Sequence, residues 1–266
     1  SKPRQLNSSL DRGLHILDLF SRTSRTLNAK EIANHLEIAP TTLYPFLNTL
    51  VARGYLEMDE AKRYHLGLKL LERAGEVNMS LDLRTVAKQG LETLSRSLKA
   101  NTRLGVLYKH EVLYLERYEG GPDAVIGEIV GVCVPAYCTS LGKVLLAYLP
   151  DEDRERVVRS LAFRPLTQNT ITCPDRLLKE LKRVREKGFS IESEEFHLGG
   201  ACVGAPVRTA SGKVVAAISV STFASRAQGQ ELKDIAEAVK STAAEVSARL
   251  GFCTEEKGGD EQAIAS

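Results

Sequence analysis

The chain has 266 residues, 43% hydrophobic and 26% charged, with a net charge of only +2 and no apolar run long enough to span a membrane. A soluble globular protein of one or two domains with a sizeable core is expected, and a membrane-spanning or low-complexity chain is excluded. The opening "SKPRQLNSSLDRG" lacks an apolar signal region and the five cysteines have no regular spacing, so a reducing cytoplasm is expected rather than an exported disulfide framework.

Charge is unevenly placed: residues 1–75 hold eleven Lys or Arg against eight Asp or Glu, which permits a nucleic-acid module at this end. Leu10, Leu14 and Leu17 recur at helical spacing. "NAKEIANHL" follows, with Asn28 and Glu31 in capping-box positions and Ile32, Ala33 and Leu36 on one face. After "EIAP" a further helix carries Leu43, Leu47 and Leu50 on one side and Thr41, Thr42, Tyr44 and Asn48 largely on others. Two helices about three residues apart predict a helix-turn-helix. "GYLEM" and "RYHLG", flanking "DEAK", predict a small hairpin with Lys62 and Arg63 near its tip, the wing of a winged helix-turn-helix.

Residues 67–97 are helical in pattern, with a polar break at Asn78 to Ser80. Beyond them the period changes. "TRLGVLYK", "EVLYLERY" and "AVIGEIVG" predict three strands, then helices over Leu141 to Leu149 and "DEDRERVVRSLA". A helix from Asp175 to Lys187 precedes strands near "FSIES", "CVGAPVRT" and "KVVAAISVS", and "QELKDIAEAVKSTAAEVSARL" forms a long last helix. The fold class expected is α+β, an antiparallel sheet covered by helices. The tail "TEEKGGDEQAIAS" is polar and expected to be disordered.

Chemistry concentrates in "CVPAYCTSLGKVLLA", where Thr139 or Ser140 would cap a helix whose first N–H groups could hold a carboxylate. In "AAISVS", Ala216, Ile218 and Val220 point to one sheet face and Ala217, Ser219 and Ser221 to the other. Cys133, Cys138, His197 and Cys202 invite a zinc reading, but they lack a second ligand pair at regular spacing, so no metal is expected. Ser140 and Lys143 match a Ser-x-x-Lys hydrolase pattern whose companion motifs S-D-N and K-T-G are absent, and the adjacent Glu194 and Glu195 would diverge in a strand.

Several blocks, in order, resemble the IclR-type bacterial transcriptional regulators: "SLDRGLHILDLF", "GYLEM…RYHLGLKLLERAG", "VPAYCTSLGKVLLAYL", "LTQNTIT", "LLKELKRVREKGFSIESEE" and "GAPVRTASGKVVAAISVS". The resemblance implies a winged helix-turn-helix over 1–75, a helical linker contributing to dimerisation over 76–98, and an effector-binding domain of GAF/profilin-like type over 99–253, followed by the tail at 254–266. It implies as partners double-stranded operator DNA, a small organic-acid effector and a second copy of the chain, as homodimer or dimer of dimers, with no membrane and no cofactor. Carried over by motif, the effector positions are Ser140, Leu141, Glu192, Cys202, Ser219 and Ser221; the expected strand "AVIGEIV" offers an apolar wall through Val125 and Ile126. DNA contacts fall on Thr41, Thr42, Tyr44 and Asn48, with Lys62 and Arg63 on the wing.

The family commonly has arginine where this chain has Pro45, which removes a backbone bond to Thr41 and predicts a kink. Two other readings stand beside the regulator: a Ser-Lys hydrolase using Ser140 and Lys143, and a dimerisation protein that has lost DNA binding.

Overall fold

The computed structural model describes residues 7–20, 24–75, 78–120 and 130–253, with the side chains of 74–82 outside that description. The chain divides into two compact units, residues 1–81 and 82–266.

In the first unit, Asn7 caps α1 (Ser8–Asp18) by accepting from the N–H groups of Ser9 and Leu10 at 3.1 and 3.0 Å. Ile16 is the residue of α1 that enters the core, whereas Leu10 and Leu14 stay 63% and 54% exposed. Helix α2 (Ala29–Leu36) starts on the expected capping box: Asn28 Oδ1 accepts from Glu31 N at 2.9 Å and Glu31 Oε2 from Asn28 N at 2.7 Å. It stops at Glu37, whose left-handed φ of 53° turns the chain into α3 (Pro40–Ala52). Ala39 is the N-cap of α3 and Pro40 its first helical residue, where a missing N–H costs nothing. Strands β1 (Leu56–Met58) and β2 (Tyr64–Leu66) pair antiparallel, and a two-bond bridge between Leu27 and Tyr64 ties this wing to the approach to α2. Ile16, Leu27, Ile32, Leu43, Leu47, Leu56 and Tyr64 close the core. Helix α4 (Lys69–Gly75) follows.

The second unit is a six-stranded, fully antiparallel sheet in the order β5-β4-β3-β8-β7-β6. Its strands are β3 (Asn101–Tyr108), β4 (Glu111–Tyr118), β5 (Cys133–Pro135), β6 (Ser190–Ser193), β7 (Gly200–Arg208) and β8 (Val214–Phe223). Helix α5 (Asn78–Leu98) begins at the polar stretch read from sequence as a break. With α9 (Gly229–Arg249) it covers one face, where Leu83, Leu91, Val239 and Val246 meet Leu104, Val203, Ile218 and Val220.

The other face carries α6 (Ser140–Ala147), α7 (Asp151–Ser160) and α8 (Pro174–Lys187), packed through Leu141, Leu145, Val158, Leu177 and Leu181. Strand β8 is the hinge of this design. Ala216, Ile218 and Val220 enter the first cluster, while Ala217 enters the second and Ser219 and Ser221 are buried on its side.

The segment leading into α6 begins as an edge strand, Cys133–Pro135, paired with β4. Glu194 and Glu195 lie beyond the end of β6, Glu194 at a left-handed φ of 55°, so they occupy a turn and not a strand. Val125 and Ile126, with most of the predicted third strand, and the tail from 254 lie outside the described residues.

Candidate functional site

The outer face of α3 consists of Thr41, Thr42, Tyr44, Pro45, Asn48 and Thr49, all exposed, opposite the buried Leu43 and Leu47. Pro45 cannot donate to Thr41, yet α3 runs unbroken from Pro40 to Ala52. Both residues are exposed, so the carbonyl that loses its partner sits where water can reach it. Thr49 Oγ1 donates to the Pro45 carbonyl at 2.7 Å.

At the wing tip Lys62 is exposed, in a left-handed turn of φ 58°. Arg63 behaves differently. Its guanidinium donates to Thr26 Oγ1 at 3.0 Å and to the Thr26 carbonyl at 2.7 Å, and lies 3.5 Å from the Glu31 carboxylate that completes the α2 capping box. Expected as a phosphate contact, Arg63 is instead engaged in bracing the wing against the start of α2. Lys62→Ala should therefore lower the slope of log affinity against log salt by about one, as loss of one phosphate contact does. Arg63→Ala should leave that slope unchanged while lowering the unit's stability by about 1–2 kcal/mol, the ion pair adding little because it is largely solvated. Salt-titrated operator binding and thermal melts of the two variants separate the roles.

In the second unit, residues opposite one another in the antiparallel ladder share a face. One row reads Glu192, Cys202, Ser221, Asn101, and the next Ser190, Gly204, Ser219, Arg103. Cys202 Sγ is 3.1 Å from Ser221 Oγ. Arg103, only 4% exposed, donates to Ser221 Oγ, and its guanidinium carbon lies 5.6 Å from the centre of the Tyr114 ring.

Above these rows stands the N-terminus of α6. Thr139 is the cap, accepting from Gly142 N at 3.2 Å, so Ser140 is the first helical residue. Ser190 Oγ donates to the Ser140 carbonyl at 2.7 Å. Gly204 allows this approach, since a Cβ there would lie 3.1 Å from the Ser140 carbonyl carbon. The Ser140 hydroxyl is buried and makes no hydrogen bond among the described residues.

Together these groups line a cleft with about 480 Å³ of space between atoms, part of it open to solvent. Ser140, Leu141, Glu192, Cys202, Ser219 and Ser221 all line it, joined by Arg103, Tyr114, Phe196 and His197, which sequence reasoning missed. A polar Arg in the alternating strand "TRLGVLYK" was the available sign of the first. The cleft offers a helix N-terminus and a buried cation to an anion.

Glu192 Oε1 accepts from Glu195 N at 2.6 Å and Phe196 N at 3.1 Å, and burial holds its carboxyl above the usual glutamate range, opposed by those two bonds. Burial also raises Glu195, against the pull of Lys143. The Lys143 ammonium is bonded to Glu195 and, at 3.2 Å, to the Ile191 carbonyl. It is thus engaged elsewhere than at Ser140, which removes the geometry the hydrolase reading requires. Burial pushes the thiols of Cys138 and Cys202 up to about 12, so both stay protonated. Among the described residues no three His, Cys, Asp or Glu side chains are grouped to hold a metal, and no helix is long and apolar enough to cross a membrane.

The profile of the IclR helix-turn-helix domain matches residues 9–60, and that of the bacterial transcriptional regulator IclR C-terminal domain matches residues 76–248. The chain belongs to the IclR family. It is a DNA-binding transcriptional regulator with a ligand-binding C-terminal domain. It is 34% identical to the HTH-type transcriptional regulator XynR of Escherichia coli over 92% of this chain and 97% of that one. It is 31% identical to BhcR of Paracoccus denitrificans over 90% and 86%. Among solved structures, an IclR homolog from Microbacterium hydrocarbonoxydans, complexed with 4-hydroxybenzoate, superposes with a TM-score of 0.83 at 26% identity, covering 91% of this chain and 98% of that one.

One property of this IclR pocket is directly testable. Because the folded-state pKa of Glu192 is raised, its ionisation disfavours the fold: the stability it contributes is complete below the ordinary value of 4.5 and is lost as pH rises through the raised one. Glu192→Gln keeps an oxygen for the Glu195 and Phe196 N–H groups and removes the charge. The variant should melt above the wild type at neutral and alkaline pH, with the gap closing as pH falls below 4.5; a gap that widens in acid would contradict the assignment.

Proposed function

We propose that the second unit binds a small organic acid, its carboxylate received by the N–H groups of Ser140 and Leu141 and by the Ser140 hydroxyl, with Ser219, Ser221 and Arg103 alongside. The observation that carries this reading is the buried Ser140 hydroxyl, without a hydrogen bond among the described residues, at the positive end of α6 in a cleft that also holds a buried arginine. The homolog solved with 4-hydroxybenzoate, a carboxylate, supports it by analogy. Glu192 and Cys202 extend the same row as Ser221 along the cleft.

The first unit meets double-stranded operator DNA through Thr41, Thr42, Tyr44, Asn48 and Lys62. The protein acts as a homodimer or dimer of dimers, for which the exposed Leu10 and Leu14 on α1 supply an apolar stripe. The effector changes operator affinity by binding differently to two arrangements of the assembly, since equal binding to both would shift nothing.

A thermal-shift screen of organic acids against the full chain tests the pocket. A ligand at a hundred times its Kd stabilises by about 2.7 kcal/mol, enough to move the transition by several degrees. At least one acid should shift the wild type and not Ser140→Ala, and the same acid should alter footprinting of the operator. Equal shifts by an acid and its neutral amide, in both proteins, would remove the carboxylate assignment.

A further inference from the structure

We infer that α3 reads A·T base pairs, with the Asn48 amide on an adenine edge and the methyl and methylene groups of Thr41, Pro45 and Thr49 against thymine methyls. The inference rests on the reading that the outer face of α3 meets the DNA. From Pro40 to Ala52 this helix contains no charged residue. Guanine is most often recognised in the major groove by Arg or Lys, bidentate to O6 and N7, and α3 has neither. Arg53 stands at its C-cap, the far end from the N-terminal residues that approach base edges in a helix-turn-helix. Arg63 is tied to Thr26 and Glu31, and Lys62 belongs to the wing.

What the helix does present forms one stripe. Thr41, Tyr44, Pro45, Asn48 and Thr49 follow the three- and four-residue spacing of a single face, and all are exposed. Pro45 offers only ring methylenes. Thr49 donates its hydroxyl proton to the Pro45 carbonyl, so its methyl is the group without an engagement. Asn48 carries the stripe's one carboxamide, and a carboxamide matches adenine N6 and N7 with one donor and one acceptor. With proline at position 45 and no cation along α3, the base edges legible to the helix are those that a carboxamide and methyl groups can read.

The test starts from duplexes that the full-length protein selects from random-sequence DNA. Single adenines are replaced by 7-deazaadenine, thymines by uracil and guanines by 7-deazaguanine. One 7-deazaadenine per half-site should weaken wild-type binding about tenfold or more, and should have no effect on Asn48→Ala. Uracil should weaken binding at neighbouring steps, and 7-deazaguanine under α3 should be tolerated. If 7-deazaguanine is the damaging substitution, or if Asn48→Ala retains full sensitivity to 7-deazaadenine, the inference is overturned while DNA recognition stands. If no sequence is enriched at all, the presentation of α3 to DNA falls with it.

Discussion

Denaturant titration of Lys143→Met is expected to show a loss of about 3–5 kcal/mol, the range for removing one partner of a buried ion pair. The Lys143 side chain is 1% exposed and that of Glu195 11%. The ammonium counters Glu195 directly and Glu192 at longer range, two carboxyls already held above their usual range by burial. Without it both must protonate or remain as uncompensated charge in a poor dielectric. The variant should therefore regain stability as pH falls, because its carboxyls titrate at raised values in the fold and contribute fully only when protonated. Lys143→Met combined with Glu195→Gln should recover most of the loss. A single variant within 1 kcal/mol of wild type, as expected of a solvated surface pair, would contradict the burial of the pair.

Gly142→Ala is the second large effect. A Cβ at this position would lie 2.1 Å from the Ala136 carbonyl oxygen and 2.3 Å from Ala136 Cα. Both are backbone atoms, so the clash is relieved only by moving α6 away from the turn at Ala136–Cys138. The cost should reach about 3 kcal/mol, the upper end for overpacking. The functional result is sharper, because the displaced residues include Ser140 and Leu141. The variant should still protect its operator in footprinting but no longer respond to the acid that shifts the wild type. Gly13→Ala is the control: nothing lies within 4 Å of a Cβ there, and alanine favours a helix by up to about 1 kcal/mol. A Gly142→Ala protein with a normal effector response would show that the cleft is not built on this contact.

Where local chemistry decides a structure, these residues declared it. The Asn28 and Glu31 pairing appeared as two hydrogen bonds, and the alternation of β8 became one face in each core. The ordered motif blocks placed six cleft residues that composition alone would have left as caps and small strand residues. Arg103 was illegible for a topological reason: its partner Ser221 lies 118 residues away, and only the pairing of β3 with β8 brings them together. Strand β5 is three residues long and ends in proline, too short for alternation to show. Arg63 reads as a wing cation in sequence because nothing local reveals that Thr26 and Glu31 will claim it. The leucine spacing of α1 correctly marked a helix while leaving open which residue faces inward; Ile16 does.

Ser140 is held by its main chain, through Ser190 and the gap left by Gly204, and not by its own side chain. A receptor anchored in this manner stands ready before its guest arrives, so little ordering accompanies capture. Phe196 and His197, whose ring centres lie 4.4 Å apart at a tilt of 57°, line the cleft outside that anchorage. Exchange of those two side chains can then reshape the ligand cleft while the main-chain mount of Ser140 stays as it is.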